Sequence, residues 1–186
     1  MSKIKNIEEL KKIVGNLKKE GKTIVTCNGS FDIFHHAHAS LLSEMKKLGD
    51  ILIVLLNSDS SIQKNKGPNR PIIPEDQRAF LLAALESVDY VTIFNEQKPL
   101  NYLSKIKPHI HAKGVRGIPE LCKEEKELVE SFGGKLEIVD SIVRNSTSSI
   151  IKKILELHLN DPEFKDINTK EREILKHTKN EKIKSG

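Results

Sequence analysis

One segment, residues 51–57 with the sequence ILIVLLN, limits the fold more than any other part of the chain. Its apolar residues follow one another without the alternation of a half-exposed strand, so it predicts a strand covered on both faces. Strands that alternate with helices favour an α/β fold, here a Rossmann-like, doubly wound sheet of five parallel strands with helices on both faces. The other four strands are predicted at residues 22–28, 90–94, 109–113 and 135–139.

The helices are predicted from apolar residues at helical spacing and from residues that start or end helices. The stretch 1–21 is amphipathic, with Asn6 as its N-cap and Gly21 as its stop. Further helices are predicted at residues 38–49, 75–87 (opened by Pro74), 101–106, 123–133 and 148–159. We therefore expect an N-terminal helix over 1–21, a single sheet domain over 22–159 and a polar C-terminal extension over 160–186.

The composition argues against a secreted or membrane-embedded protein. No segment reaches the roughly 18 apolar residues of a membrane span, and the charged N-terminal stretch has no apolar core of the signal-peptide kind. Cys27 and Cys122 are far apart in the sequence and are expected to be reduced thiols. These features predict a cytoplasmic protein that does not bind membranes.

The positive charge does not by itself identify a partner. The formal net charge is +5, but lysines and glutamates are interleaved along every segment, as on solvated helix faces. Aromatic residues make up only 4% of the chain and Trp is absent, which argues against nucleic-acid binding by base stacking. The same charge suits a nucleoside triphosphate equally well.

The segment CNGSFDIFHHAH, residues 27–38, lies between the first strand and the next helix. Gly29 and Ser30 allow a tight turn there, and a helix N-terminus offers unpaired N–H donors and a partial positive charge to a phosphate. His35 and His38 are three residues apart and project from the same face of a helical first turn. This pattern predicts a triphosphate site.

Two other interpretations of these histidines stay open on the residues alone. Both side chains could be surface or capping histidines. His35, His36 and His38 could instead bind a metal ion, although only Asp32 lies nearby as a further ligand.

Three more groups are candidates for phosphate contacts. Lys64 and Lys66 precede Gly67 in a predicted loop after the second strand, and Arg78 lies one turn into the following helix. Solvated lysines and a surface salt bridge of Arg78 are the alternatives. The third group begins the last predicted helix, where its hydroxyls could bind phosphate, act as an N-cap, or do both: Ser146, Thr147 and Ser148.

Four blocks carry a family resemblance that runs from Lys22 to Leu155: NGSFDIFHHAH, LGDILIVLLNSD, KGPNRPIIPEDQRAFLLAALESVDYV and NSTSSIIKKI. The first resembles the HxGH signature of the HIGH-type nucleotidyltransferases, with Ala37 where the family has glycine. Together the blocks resemble the adenylyltransferases of ADP-heptose synthesis, which contribute to lipopolysaccharide. Glycerol-phosphate cytidylyltransferases are more distantly similar.

The resemblance implies roles for individual residues. His35, His38 and Lys66 are implied to be catalytic. Arg78 and Arg116 are implied to bind the acceptor, Arg116 within HAKGVRG, where Val115, Arg116 and Gly117 depart from the family pattern. The residues implied to bind the nucleotide are Asn28, Gly29, Ser30, Phe31, Asp32, His35, His38, Lys113, Gly114, Ser146, Thr147 and Ser148.

The reaction implied is transfer of AMP from ATP to a sugar phosphate, D-glycero-β-D-manno-heptose 1-phosphate, giving ADP-heptose and pyrophosphate. Mg²⁺ is expected to be held by the nucleotide and water without protein ligands, and the enzyme is expected to be a homodimer. The alternatives are a cytidylyltransferase acting on glycerol 3-phosphate or another small phosphate, and a nucleotide-binding protein without turnover.

Overall fold

The computed structural model describes residues 2–114, 122–140 and 146–158. Residues 1–145 and 146–186 form two compact units, and the second is described here only through its helix α7. The strands are β1 Ile24–Gly29, β2 Ile51–Asn57, β3 Tyr90–Phe94, β4 Ile110–Gly114 and β5 Lys135–Val139. The helices are α1 Ile7–Lys19, α2 His36–Lys46, α3 Asp59–Lys66, α4 Glu75–Ala83, α5 Leu100–Ile106, α6 Lys123–Ser131 and α7 Thr147–His158.

The five strands form one parallel sheet in the order β3-β2-β1-β4-β5. From β1 the chain adds strands in one direction as far as β3 and then returns to place β4 on the other side of β1. The strand order therefore reverses between β1 and β4, and ligands of such sheets bind beyond the carboxyl ends of the strands at this point. The predicted Rossmann-like fold class is confirmed.

The core explains why residues 51–57 are continuously apolar. Leu52, Ile53, Val54, Leu55 and Leu56 of β2 are all fully buried, since helices cover both faces of the sheet. One face packs against α2 and α4 through Val25, Cys27, Leu42, Met45, Leu52, Val54, Leu56, Ala79 and Leu82. The other packs against α1, α5 and α6 through Leu10, Val14, Ile24, Ile53, Leu55, Leu103, Ile106 and Val129.

Helix α1 begins and ends as the sequence predicts. The Asn6 side chain accepts hydrogen bonds from the backbone N–H groups of Glu8 and Glu9, and the Glu9 carboxylate accepts one from the Asn6 N–H. This reciprocal capping box satisfies backbone donors that a helix N-terminus otherwise leaves unpaired. Gly21 follows the helix with a φ of +75°, a left-handed conformation that favours glycine.

Helix α3 is a difference from the sequence prediction, which placed Lys64 and Lys66 in a loop. Both lysines belong to the last turn of α3. The Ser58 side chain caps the helix by accepting from the Ser61 N–H, and Ile62 is buried beneath it. A two-turn helix with one buried apolar residue has too little periodicity to be recognised in the sequence.

Cys27 and Cys122 are both buried free thiols. None of the helices in the described ranges is both long enough and apolar enough to span a membrane.

Candidate active site

The loop between β1 and α2 is tightly packed around an aromatic ring. A Cβ atom at Gly29 would approach the Phe31 ring to 2.9 Å, so the chain needs glycine at this position. Phe31 and Ile33 have φ values of +47° and +48°, a left-handed conformation that is strained for such residues. Local strain of this kind occurs at ligand sites, where the surrounding packing holds it in place.

His35 and His38 meet at the start of α2. His35 occupies the N-cap position with an extended backbone, and His38 is three residues further on. Their rings stack with 3.9 Å between centroids. The His38 ring also makes an edge-to-face contact with the Phe31 ring, with 5.3 Å between these two centroids. Both are half-buried, whereas His36 is exposed. The predicted pairing of the two imidazoles at a helix N-terminus is therefore present.

The surroundings of His38 keep it neutral. Burial lowers its pKa to about 4, the positive charges of His35 and Lys66 act in the same direction, and Asp32 opposes them. A neutral imidazole donates one hydrogen bond, and an arriving anion would favour the second proton. The shift also shows that Lys66 is near enough to contribute charge to the same site.

Asp32 and Arg70 form an ion pair near Lys66 and His38. Asp32 is 2% exposed; its Oδ1 accepts from the Ile72 and Ile73 N–H groups at 3.0 Å, and its Oδ2 lies 2.7 Å from Arg70 Nη2. Desolvation lowers the pKa of Lys66, and the charge of Arg70 lowers it further while Asp32 opposes the shift. Asp32 therefore anchors the segment 70–73 beside the cationic groups.

Arg78 supports this loop from within the protein. Its side chain is fully buried and donates to the carbonyl oxygens of Ile73 (2.8 Å), Asn57 (2.9 Å) and Ser30 (2.5 Å) and to the Asp59 carboxylate (2.7 Å). The alternative of a salt bridge holds, since Arg78 pairs with Asp59, but the guanidinium is fully buried and not at the surface. The geometry gives Arg78 a positioning role, and the predicted contact with the acceptor would require this network to open.

A second polar cluster lies at the carboxyl ends of β1 and β4. The Lys113 ammonium donates to Asn28 Oδ1 at 2.7 Å and pairs with Glu125 Oε2 of α6 at 2.7 Å. Gly114, which ends β4, is half-buried beside it. The structure thus brings together two residues predicted to bind the nucleotide, at the point where the strand order reverses.

The hydroxyl cluster at α7 forms an N-cap. The Ser146 hydroxyl accepts from the Ser149 N–H at 3.1 Å, and the Ser149 hydroxyl accepts from the Ser146 N–H at 3.1 Å. The phosphate contacts predicted for Ser146, Thr147 and Ser148 stay predictions, because α7 is described by itself. Arg116 lies outside the described residues.

Sequence reasoning missed Arg70 and Glu125 as members of these clusters. Arg70 meets Asp32 across 38 positions and Glu125 meets Lys113 across 12, and no local spacing indicates either pair. Within the described ranges, no group of three or more His, Cys, Asp or Glu side chains is arranged to hold a metal ion. Imidazoles, a lysine and a helix N-terminus are groups that suit an anion.

The sequence matches the family model described as cytidylyltransferase-like over residues 26–179. The chain belongs to the cytidylyltransferase-like family. This membership confirms the predicted class of enzyme, a nucleotidyltransferase.

Curated relatives agree with the resemblance found in the sequence. The chain is 43% identical over 160 residues to the bifunctional protein HldE of Trichlorobacter lovleyi. The aligned region covers 86% of this chain and 32% of the relative. It is 46% identical over 155 residues to the bifunctional protein HldE of Pelobacter propionicus. Here the aligned region covers 83% of this chain and 32% of the relative. The chain thus spans about a third of the length of these relatives.

Two solved structures are also similar. The lipopolysaccharide core biosynthesis protein from Thermoplasma volcanium has a TM-score of 0.56 and 31% identity, covering 67% of this chain and all of that one. The pantoate-beta-alanine ligase from Francisella tularensis has a TM-score of 0.54 and 18% identity, covering 80% of this chain and 69% of the ligase. The second likeness shows the fold alone.

Proposed function

We propose that this nucleotidyltransferase transfers AMP from ATP to D-glycero-β-D-manno-heptose 1-phosphate, giving ADP-heptose and pyrophosphate. The observation that carries the proposal is the stacked pair of His35 and His38 at the N-terminus of α2, with Lys66 beside them. The choice of a heptose phosphate rests on the similarity to the HldE proteins, of which this chain matches about a third.

The reaction is a direct displacement. An oxygen of the acceptor phosphate attacks the α-phosphorus of ATP in line, the bond from the α-phosphorus to the bridging oxygen breaks, and that oxygen leaves with pyrophosphate. The acceptor phosphate is already an anionic nucleophile at neutral pH, so no general base is needed. Catalysis then consists of positioning and of stabilising charge, as in phosphoryl transfer generally.

His38 is assigned to the α-phosphate and His35 to the neighbouring phosphates. Lys66 is assigned to the leaving pyrophosphate. The phosphate contacts that the family resemblance implies for Ser146, Thr147 and Ser148 remain a separate prediction. The neutral state of His38 supports its assignment, because an imidazole that gains a proton as negative charge approaches adds a donor where it is needed. In the free protein the neutral state of His38 also avoids repulsion between the imidazoles of His35 and His38.

Mg²⁺ is proposed to arrive with ATP as part of the substrate, held by phosphate oxygens and water, where it offsets phosphate charge. The Asp32 carboxylate is engaged by Arg70 and by two backbone amides, which supports a metal carried by the nucleotide rather than by this side chain. Asn28, Lys113 and Gly114, at the carboxyl ends of β1 and β4, are assigned to the nucleoside part of ATP.

We also propose a homodimer. Helix α4 exposes large apolar side chains to solvent, with Phe80 70% and Leu81 44% exposed, and Ile72 just before it is 50% exposed. Large apolar side chains that remain exposed on one helix, as Phe80 and Leu81 do on α4, are typical of a face covered by a partner. A second copy of the chain is the partner that the family resemblance favours.

The decisive test is release of pyrophosphate from ATP, CTP, GTP or UTP with each of several acceptors. The proposal expects ATP with D-glycero-β-D-manno-heptose 1-phosphate to be the best pair, and product identity is checked by mass spectrometry. The family description favours one second candidate, a cytidylyltransferase. Faster release from CTP with glycerol 3-phosphate would establish that candidate instead, and ATP binding without pyrophosphate from any acceptor would contradict both.

A further inference from the structure

A line of buried polar side chains runs along the face of the sheet that α6 covers. Thr26 and Asn28 of β1 lie on the same face because side chains alternate along a strand, and His111 and Lys113 of β4 share that face with them. Thr26 is directly opposite His111 in the register of the two strands. Thr26 and His111 are fully buried, and Glu125 of α6 is 3% exposed.

The contacts within this line are continuous. The Thr26 hydroxyl lies 2.9 Å from His111 Nδ1, His111 Nε2 lies 3.5 Å from Glu125 Oε2, and that oxygen lies 2.7 Å from the Lys113 ammonium. Lys113 then donates to Asn28 at 2.7 Å. The line begins in the interior and ends at the carboxyl ends of β1 and β4.

The charges in the line balance. Burial raises the pKa of Glu125, but hydrogen bonding from His111 and the charge and hydrogen bond of Lys113 outweigh it, so the pKa lies below its usual range and the carboxylate is ionised. Burial lowers the pKa of His111 despite Glu125, so the imidazole is neutral. One carboxylate and one ammonium remain, and they compensate each other at 2.7 Å.

We propose that Glu125 is a positioning residue that holds Lys113 beside Asn28 as a charge-compensated donor for the nucleoside part of the substrate. The Lys113 ammonium has three N–H donors; it donates one to Asn28 and forms an ion pair with Glu125 at 2.7 Å. A further N–H suits a neutral acceptor, such as a ribose hydroxyl or a base carbonyl or ring nitrogen. A phosphate gains less here, because the carboxylate beside the ammonium repels it.

The inference deepens the proposed function and rests on it, since it divides the substrate between two clusters. His35, His38 and Lys66 take the phosphates, and the Glu125–Lys113–Asn28 line takes the nucleoside. Inorganic tripolyphosphate carries the phosphates without the nucleoside. Substitutions in the nucleoside cluster should therefore affect the binding of ATP but not weaken the binding of tripolyphosphate.

The test measures the affinity of the purified full chain for ATP and tripolyphosphate by calorimetry. Glu125→Gln should weaken ATP binding about tenfold, as expected for a misplaced charge-assisted hydrogen bond, and should not weaken tripolyphosphate binding, because the carboxylate that it removes repels phosphate. Glu124→Gln is the matched control, because Glu124 is the neighbouring residue on α6 and its ion pair with Lys98 is exposed. The control should bind both ligands like the wild type.

A second variant separates positioning from stability. Glu125→Gln leaves Lys113 buried without its counter-charge and is expected to lower Tm, whereas the double variant with Lys113→Met removes both charges and should recover most of that loss. The double variant should nevertheless keep the weakened ATP binding. ATP binding restored along with Tm would overturn the proposal, since the defect would then be one of folding.

The outcomes distinguish this inference from the proposed function. Unchanged ATP affinity in Glu125→Gln, or equal loss for ATP and tripolyphosphate, would overturn the positioning role while leaving the reaction intact. A wild-type protein that binds ATP but not tripolyphosphate would instead contradict the phosphate assignment of the histidines, and the comparison on ATP would still decide the role of Glu125.

Discussion

The imidazole rings of His35 and His38 stack with 3.9 Å between their centroids and 19° between their planes. Two charged imidazoles at this distance would repel each other, and the pKa of His38 is lowered by burial and by the charge of His35. In the proposed function the pair receives negative charge from the substrate. A triphosphate at the N-terminus of α2 would supply it.

Replacing His38 by alanine is expected to lower kcat by at least about 10²-fold, the usual effect of removing one donor to a transition-state charge. KM for ATP should change less, because the interaction strengthens as charge develops on the α-phosphate. Pyrophosphate release under saturating substrates measures the effect. His36→Ala is the control, since His36 is adjacent but exposed. A near-normal rate in His38→Ala would remove His38 from the mechanism.

The lowered pKa of His38 also predicts how stability depends on pH. The unfolded chain binds a proton at His38 near pH 6.5, but the folded protein does not bind it until about pH 4. The contribution of His38 to the free energy of unfolding is therefore fully present above pH 6.5 and is lost as the pH falls from 6.5 towards 4.

Urea denaturation between pH 7.5 and pH 4.5 measures this dependence. We expect the wild type to lose stability more steeply than His38→Gln over that window, because the variant lacks the titrating group. Equal slopes would show that His38 titrates normally in the folded state. An imidazole proton of His38 followed by NMR should titrate near pH 4 without ligand and at higher pH with ATP bound.

Arg78 provides a test of the loop that carries the site. Arg78→Met removes four donated hydrogen bonds and leaves the carbonyl oxygens of Ser30 and Asn57 without this partner. We expect a loss of about 3 kcal/mol in the free energy of unfolding, within the range for breaking a buried charged network. Lys64→Met is the control, since Lys64 is exposed. A loss below 1 kcal/mol would show that the network contributes little.

The sequence predicts well those features that depend on residues close together in the chain. The apolar run of β2 and the Asn6–Glu9 capping box each indicate their structure directly, and the three-residue spacing of His35 and His38 places both rings on one face. Each of these features depends on a short stretch of sequence, either a continuous apolar run or a few residues at the start of a helix.

Features that depend on tertiary packing were not predicted. Helix α3 depends on the Ser58 cap and on the burial of Ile62. Ile62 is buried only because the helix packs against the sheet, and the local sequence does not indicate that packing. The burial of Arg78 and the pairing of Glu125 with Lys113 depend on which elements meet in space. A charged residue is usually exposed, so composition favoured the surface for both of them.

The exposed apolar side chains of α4 bear on the oligomeric state. The chain has a mass of 21.0 kDa, so a homodimer should have about twice that mass by light scattering. Phe80→Lys places a charge where Phe80 is 70% exposed in the single chain, and burying that charge in an interface is costly, so the variant should be monomeric. Gln63→Lys adds the same charge at an exposed position on α3 and should remain a dimer. A monomeric wild type would contradict the proposed dimer, and a dimeric Phe80→Lys variant would show that the copies meet through another face.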